Sequence, residues 1–122
     1  MSAQERRSPV RGEIWWGHFL TDAPGKNRPA VIVSINSRNA HPRVDTVLAI
    51  PLSTSVTKVG PWHLLLHAAE TGLREDSVAW CENIGAIKKD QLLEPITGHR
   101  PLTNTQICKM ASLVRIAMGC VD

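Results

Sequence analysis

Gly25-Lys26-Asn27-Arg28-Pro29-Ala30-Val31-Ile32-Val33-Ser34 runs from a glycine turn through two cations into four consecutive apolar residues. Pro29 biases Arg28 toward an extended conformation and supplies no backbone donor of its own. The unbroken run 30–33 suggests a central strand buried on both faces. A second apolar run, Val47-Leu48-Ala49-Ile50-Pro51-Leu52, ends in the hydroxyl cluster Ser53-Thr54-Ser55. A guanidinium thus stands at the mouth of one strand and small hydroxyls at the exit of another. Such a pair can grip a phosphate.

Outward from these runs, apolar or β-branched segments recur at 13–20, 29–35, 44–52, 62–67 and 76–84. Between them lie turn formers: Asp22-Ala23-Pro24-Gly25, Asn36-Ser37-Arg38-Asn39, Lys58-Val59-Gly60-Pro61 and Glu70-Thr71-Gly72. Short strands at this spacing predict a small antiparallel barrel, since βαβ units need longer helical connections. Lys88-Lys89-Asp90-Gln91-Leu92-Leu93 fits one short helical turn. From Thr103 the period changes: Thr103 or Asn104 can cap a helix, and Ile107, Met110, Leu113, Val114, Ala117 and Met118 recur at three and four. Gly119 then stops it. A helix of ~16 residues spans ~24 Å, enough to lie across a small barrel. The expected architecture is mainly β, a five- or six-stranded SH3-like antiparallel barrel with a C-terminal helix.

A chain of 122 residues is one domain, able to bury roughly 65% of its unfolded surface. With 43% hydrophobic and 20% charged residues it is globular rather than disordered. The net charge of +3 and pI near 9.0 suit an anionic partner, nucleic acid or a small anionic metabolite alike. The three cysteines, Cys81, Cys108 and Cys120, are widely spaced in apolar contexts and form no CxxC pair. They predict no zinc site and no disulfide framework, and so a reducing, cytoplasmic location. Residues 1–10 are expected to be a flexible polar tail without the apolar core of a signal peptide, leaving 11–122 as the domain. No apolar run approaches the ~20 residues that span a bilayer, so no membrane partner is expected.

Each candidate for chemistry has an ordinary alternative. Read alone, Arg28 is a solvated loop arginine or a two-pronged phosphate clamp. Ser53 and Thr54 cap a strand end or donate hydrogen bonds to a ligand. Glu82, in the strand-like run 77–84, is either exposed on an alternating strand or turned toward a groove. His63 and His67 would clasp a metal only on a helix. On a strand they lie ~13 Å apart, too far to share an ion, and they read as surface histidines. His18 falls inside the first strand. Trp15, Trp16, Trp62 and Trp80 are mostly core, with base stacking as the alternative.

With Arg11-Gly12-Glu13-Ile14-Trp15 upstream and Gly72-Leu73-Arg74-Glu75-Asp76-Ser77-Val78 downstream, the order of segments from about Arg11 to Gly119 resembles the MazF/PemK (Kid) toxin family. The resemblance implies an SH3-like, CcdB/PemK-like barrel and an endoribonuclease that cuts single-stranded RNA and halts growth. It also implies a homodimer inhibited by a cognate antitoxin protein, with no cofactor and no metal. The family's "RP" arginine is catalytic and falls on Arg28. Its Pro-x-Thr reads Pro51-Leu52-Ser53 here, which puts Ser53 on the catalytic threonine and leaves Thr54 as the choice one residue on. The Kid branch reads Cys-Asp-Gln where this chain has Cys81-Glu82-Asn83, so Glu82 falls on the proposed general base. Lys26, Asn27, Thr54 and Asn83 complete the expected RNA-binding set.

Two features depart from the family pattern. The loop before Arg28 is shorter and lacks a transition-state histidine, and the basic residue after the amide is missing near Gly85. The rival readings are a non-enzymatic CcdB-like toxin that binds gyrase and an inactive nucleic-acid-binding module. The Arg28-Pro29 step and the hydroxyls after Pro51 favour the ribonuclease.

Overall fold

The apolar run after Arg28 forms the middle of a sheet. The computed structural model describes residues 7–19 and 22–120. Strand β2 (Arg28–Ile32) lies between β1 (Ile14–Gly17) and β3 (Thr46–Ser53), antiparallel to both. Alternate residues point to opposite faces, and both faces are covered. Ile14, Val31 and Ile50 pack on one side with Ile107, Met110 and Leu113 of the C-terminal helix. Trp15, Ala30, Ile32, Val47 and Ala49 pack on the other with Ile87 and Leu92. Two-sided burial explains why the sequence here does not alternate. Ile32 is fully buried, so Ile32→Ala would cost roughly 2–5 kcal/mol.

The remaining strands are β4 (His63–Leu66), β5 (Ser77–Trp80), β6 (Gly85–Lys88) and β7 (Leu92–Pro95). Short helices α1 (Asn36–Asn39) and α2 (Ala68–Thr71) fill connections, and α3 (Asn104–Ala117) closes the chain. All pairings are antiparallel, in the order β4-β5-β3-β2-β1-β7, with β6 also on β3. Among the described residues the sheet has seven strands, more than the five or six expected, and its path does not close. Among the described residues β4 pairs only with β5 and β7 only with β1, so the expected barrel is an open sheet covered by α3.

The expected strand 76–84 breaks at Trp80. Ala79 lies opposite Leu52, while Gly85 lies opposite Ala49, so six steps on this chain face three on β3. The surplus is absorbed by a single 3-10 turn, Cys81–Asn83. It buries Cys81 and lifts Glu82 and Asn83 off the sheet into solvent. The helical turn expected near 88–93 is a second 3-10 turn, Lys89–Gln91, wedged between β6 and β7.

Helix α3 matches its sequence signals. The Thr103 hydroxyl accepts the Gln106 N–H at 3.2 Å, and the Gln106 amide oxygen accepts the Thr103 N–H at 2.8 Å, a reciprocal capping box. Ile107, Met110 and Leu113 are buried, and Gly119 at φ 81° ends the helix. Ala117 and Met118, which the period sets on the apolar stripe, are instead exposed, Met118 to 71%. At the other end, residues 1–6 of the expected tail lie outside the described residues. Arg7 forks onto the Glu13 carboxylate at 2.9 and 2.6 Å and stands 5.6 Å over Trp15. No helix among the described residues is long and apolar enough to cross a membrane.

Candidate nucleic-acid site

The register of β2 and β3 builds the site. Ala30 lies opposite Pro51, and continuing that register two residues sets Arg28 opposite Ser53 at the same open end of the sheet. Trp80 joins them from β5, where Val78 pairs with Ser53. A groove of about 670 Å³ runs across this end. Lys26, Asn27, Arg28, Ser53, Thr54 and the loop 72–75 line it, with Trp16 and Trp80 as half-buried aromatic walls.

Arg28 is oriented rather than solvated. Its Nε–H donates to both carboxylate oxygens of Asp22, at 3.0 and 2.9 Å, and its guanidinium stands 5.3 Å over the Trp80 ring. The two side chains are only 18% and 11% exposed. Among the described residues the two terminal nitrogens of Arg28 have no hydrogen-bond partner, so the fork that matches a phosphate remains available. Ser53 Oγ accepts the Ser55 N–H at 3.2 Å, which fixes the oxygen and leaves its proton to donate outward. Ser53 is half-buried, whereas Thr54 is exposed.

The 3-10 turn carries Glu82 and Asn83 to a neighbouring hollow of about 540 Å³, lined also by Ser55, Lys58, His63 and Trp80. Trp80 borders both spaces, with Arg28 over its ring and His63 tilted against it at 6.4 Å. Asn83 also borders a small cavity with Asp22 and Arg28. Of the residues singled out in the sequence, Lys26, Asn27, Arg28, Ser53 and Thr54 share one groove. Glu82 and Asn83 lie across Trp80 from it.

Several participants carried no sequence signal of their own. Asp22 reads as a turn former, and only the fold of the connection 22–27 sets it beside Arg28. Arg74 and Glu75 come from the loop before β5 and add a cation and a carboxylate to the groove. His63, read as a surface histidine of a strand, does begin β4, but its ring faces Glu82 at 2.7 Å. His67 lies beyond the strand and caps α2. His18 follows the end of β1 instead of lying inside it and contacts the Lys26 carbonyl at 2.8 Å. Cys81, beneath the turn, has its thiol pushed up to about 12 by burial and by the neighbouring Glu82 charge, so it is a core group and no nucleophile. No group of three or more His, Cys, Asp or Glu among the described residues is placed to hold a metal ion.

A family model described as PemK-like, MazF-like toxin of type II toxin-antitoxin system matches residues 10–117. The chain belongs to this toxin family. It is 38% identical over 93 residues to Endoribonuclease MazF9 of Mycobacterium tuberculosis, a match covering 70% of this chain and 78% of that protein. In fold, the toxin is similar to a mycobacterial endoribonuclease solved in complex with its cognate antitoxin. That match has a TM-score of 0.72 at 23% identity, covering 94% and 99% of the two chains. It is also similar to a MazE-MazF structure from Deinococcus radiodurans, at a TM-score of 0.72 and 18% identity over 93% and 98%. The open antiparallel sheet with a C-terminal helix is the fold these structures share with the toxin.

Proposed function

We propose that this toxin endoribonuclease cleaves single-stranded RNA at the groove between Arg28 and Ser53, using the RNA's own 2′-hydroxyl as nucleophile and no metal. The observation that carries the reading is the orientation of Arg28, tied at Nε to Asp22 with its terminal nitrogens free. A base takes the 2′-hydroxyl proton, O2′ attacks the adjacent phosphorus as the P–O5′ bond breaks, and the departing 5′-oxygen takes a proton from solvent. Arg28 holds the phosphate and stabilises charge developing on it, and Ser53 donates to the same oxygens. Glu82 is the base, reached by the nucleotide that bends around Trp80. The products carry a 2′,3′-cyclic phosphate and a 5′-hydroxyl. In-line attack requires a backbone splayed out of the A-form helix, hence a single-stranded substrate.

Lys26, Asn27, Thr54 and Asn83 contact the strand on either side, and Trp16 and Trp80 offer faces for bases. Membership in the MazF/PemK family favours this reading over a gyrase-binding CcdB-like toxin or an inactive module. The test is Arg28→Ala. Loss of one preorganised donor costs ~10²-fold or more in rate with the fold unchanged. Arg28→Lys recovers little, because a point charge lacks the fork. Wild-type cleavage by Arg28→Ala would reduce Arg28 to a loop residue.

The toxin acts as a homodimer whose groove an antitoxin occupies. Ile116 and Met118, at the end of α3, are exposed apolar groups that a second copy can cover. The cations of the groove favour an acidic, disordered antitoxin segment that folds on binding. Light scattering across a dilution series decides the first claim, and a mass near 13.4 kDa at micromolar concentration defeats it. Co-expression with a cognate antitoxin that fails to relieve growth arrest defeats the second.

A further inference from the structure

We infer that His63 is a positioning residue that clamps one oxygen of Glu82 and leaves the other free to accept a proton; the inference rests on the reading of Glu82 as the base. Three hydrogen bonds fix the arrangement. The Gly60 N–H donates to His63 Nδ1 at 2.9 Å, and the His63 N–H returns a bond to the Gly60 carbonyl at 3.1 Å. A backbone amide only donates, so Nδ1 receives it with its lone pair and the ring carries its proton on Nε2. Nε2 lies 2.7 Å from Glu82 Oε2, which makes it the donor there. Among the described residues Oε1 of Glu82 has no partner, so one carboxylate oxygen is anchored and the other is open.

The clamp answers a difficulty that the fold creates. Glu82 sits on a surplus turn outside the sheet, where no ladder bond orients its side chain. An exposed glutamate in water samples many rotamers, and only a fraction of them point at a substrate hydroxyl. His63 is on β4, opposite Trp80 in the register of β5, so a rigid strand supplies the fixed point that the turn lacks. The ring is nearly enclosed: the His63 side chain is 15% exposed and tilts against Trp80, while Glu82 is 31% exposed. A bond between half-buried partners outweighs the same bond in open water.

The experiment compares wild type, His63→Ala, His63→Gln and Glu82→Gln on one single-stranded RNA, with kcat and KM measured separately. In His63→Ala, kcat falls ~10-fold to ~100-fold while KM stays within about twofold, because orientation is lost and substrate contacts remain. The amide of His63→Gln reaches the place of Nε2 and restores most of the rate. Thermal unfolding of the Ala and Gln variants controls for folding. Nitrogen NMR of wild type shows His63 protonated on Nε2 and bare on Nδ1. A proton found on Nδ1, or His63→Ala at the wild-type kcat, overturns the positioning role. In the latter case a slow Glu82→Gln shows that the base reading stands without His63, and a fast one shows that both readings fall.

Discussion

The Nε–H of Arg28 rests on both carboxylate oxygens of Asp22, at 3.0 and 2.9 Å, six residues back along the chain. The pair fixes the guanidinium among the residues that line the groove. Asp22→Ala frees Arg28 to other rotamers, and kcat/KM should fall ~10-fold or more, as expected when a phosphate clamp is misplaced. Arg28→Ala should fall further, and the double variant should be no slower than Arg28→Ala alone. Additive losses in a double-mutant cycle would show that Asp22 acts independently of Arg28.

Ser53 and Thr54 are separated by the same experiment on the hydroxyl. Ser53 Oγ is fixed by the Ser55 N–H and lies opposite Arg28, while Thr54 is exposed past the strand end. Ser53→Ala should lose ~10²-fold in rate and Thr54→Val little. The reverse order would move the catalytic hydroxyl one residue on.

Much of this was legible in the sequence, and the reasons differ by element. The central strand and the capped helix α3 follow from local patterns: a two-sided apolar run, and Thr103 with Gln106. The break at Cys81–Asn83 was not legible, because it arises from a length mismatch between two partners of β3 that lie far apart in the chain. The roles of Asp22 and His63 were hidden for the same reason. Each depends on which residue the fold sets opposite it.

The buried Cys81 thiol gives alkaline instability. Burial and the Glu82 charge push it up to about 12, against 9.0 for a free thiol. Between those values the unfolded chain releases a proton that the folded chain keeps, so stability falls as pH rises through 9.0 toward 12. Below 9.0 the thiol is protonated in both states and contributes no slope. Urea midpoints at increasing pH should drop more steeply for wild type than for Cys81→Ala. In native protein a thiol reagent should modify the exposed Cys108 and Cys120 and spare Cys81.

Thr103→Ala removes the side-chain half of the α3 cap, which satisfies the Gln106 N–H. A loss of about 1 kcal/mol in unfolding free energy is expected. Because Thr103 lines neither the groove nor the hollow beside Glu82, kcat on RNA should stay unchanged at temperatures well below the midpoint.

Cleavage of a single-stranded RNA in EDTA, beside the same strand carrying one 2′-deoxyribose at the cut position, tests the mechanism most directly. The account predicts full activity on the all-ribose strand, products ending in a 2′,3′-cyclic phosphate and a 5′-hydroxyl, and no cut at the deoxy position. Equal cutting of the deoxy-substituted strand, or activity abolished by EDTA and restored by magnesium, would contradict it.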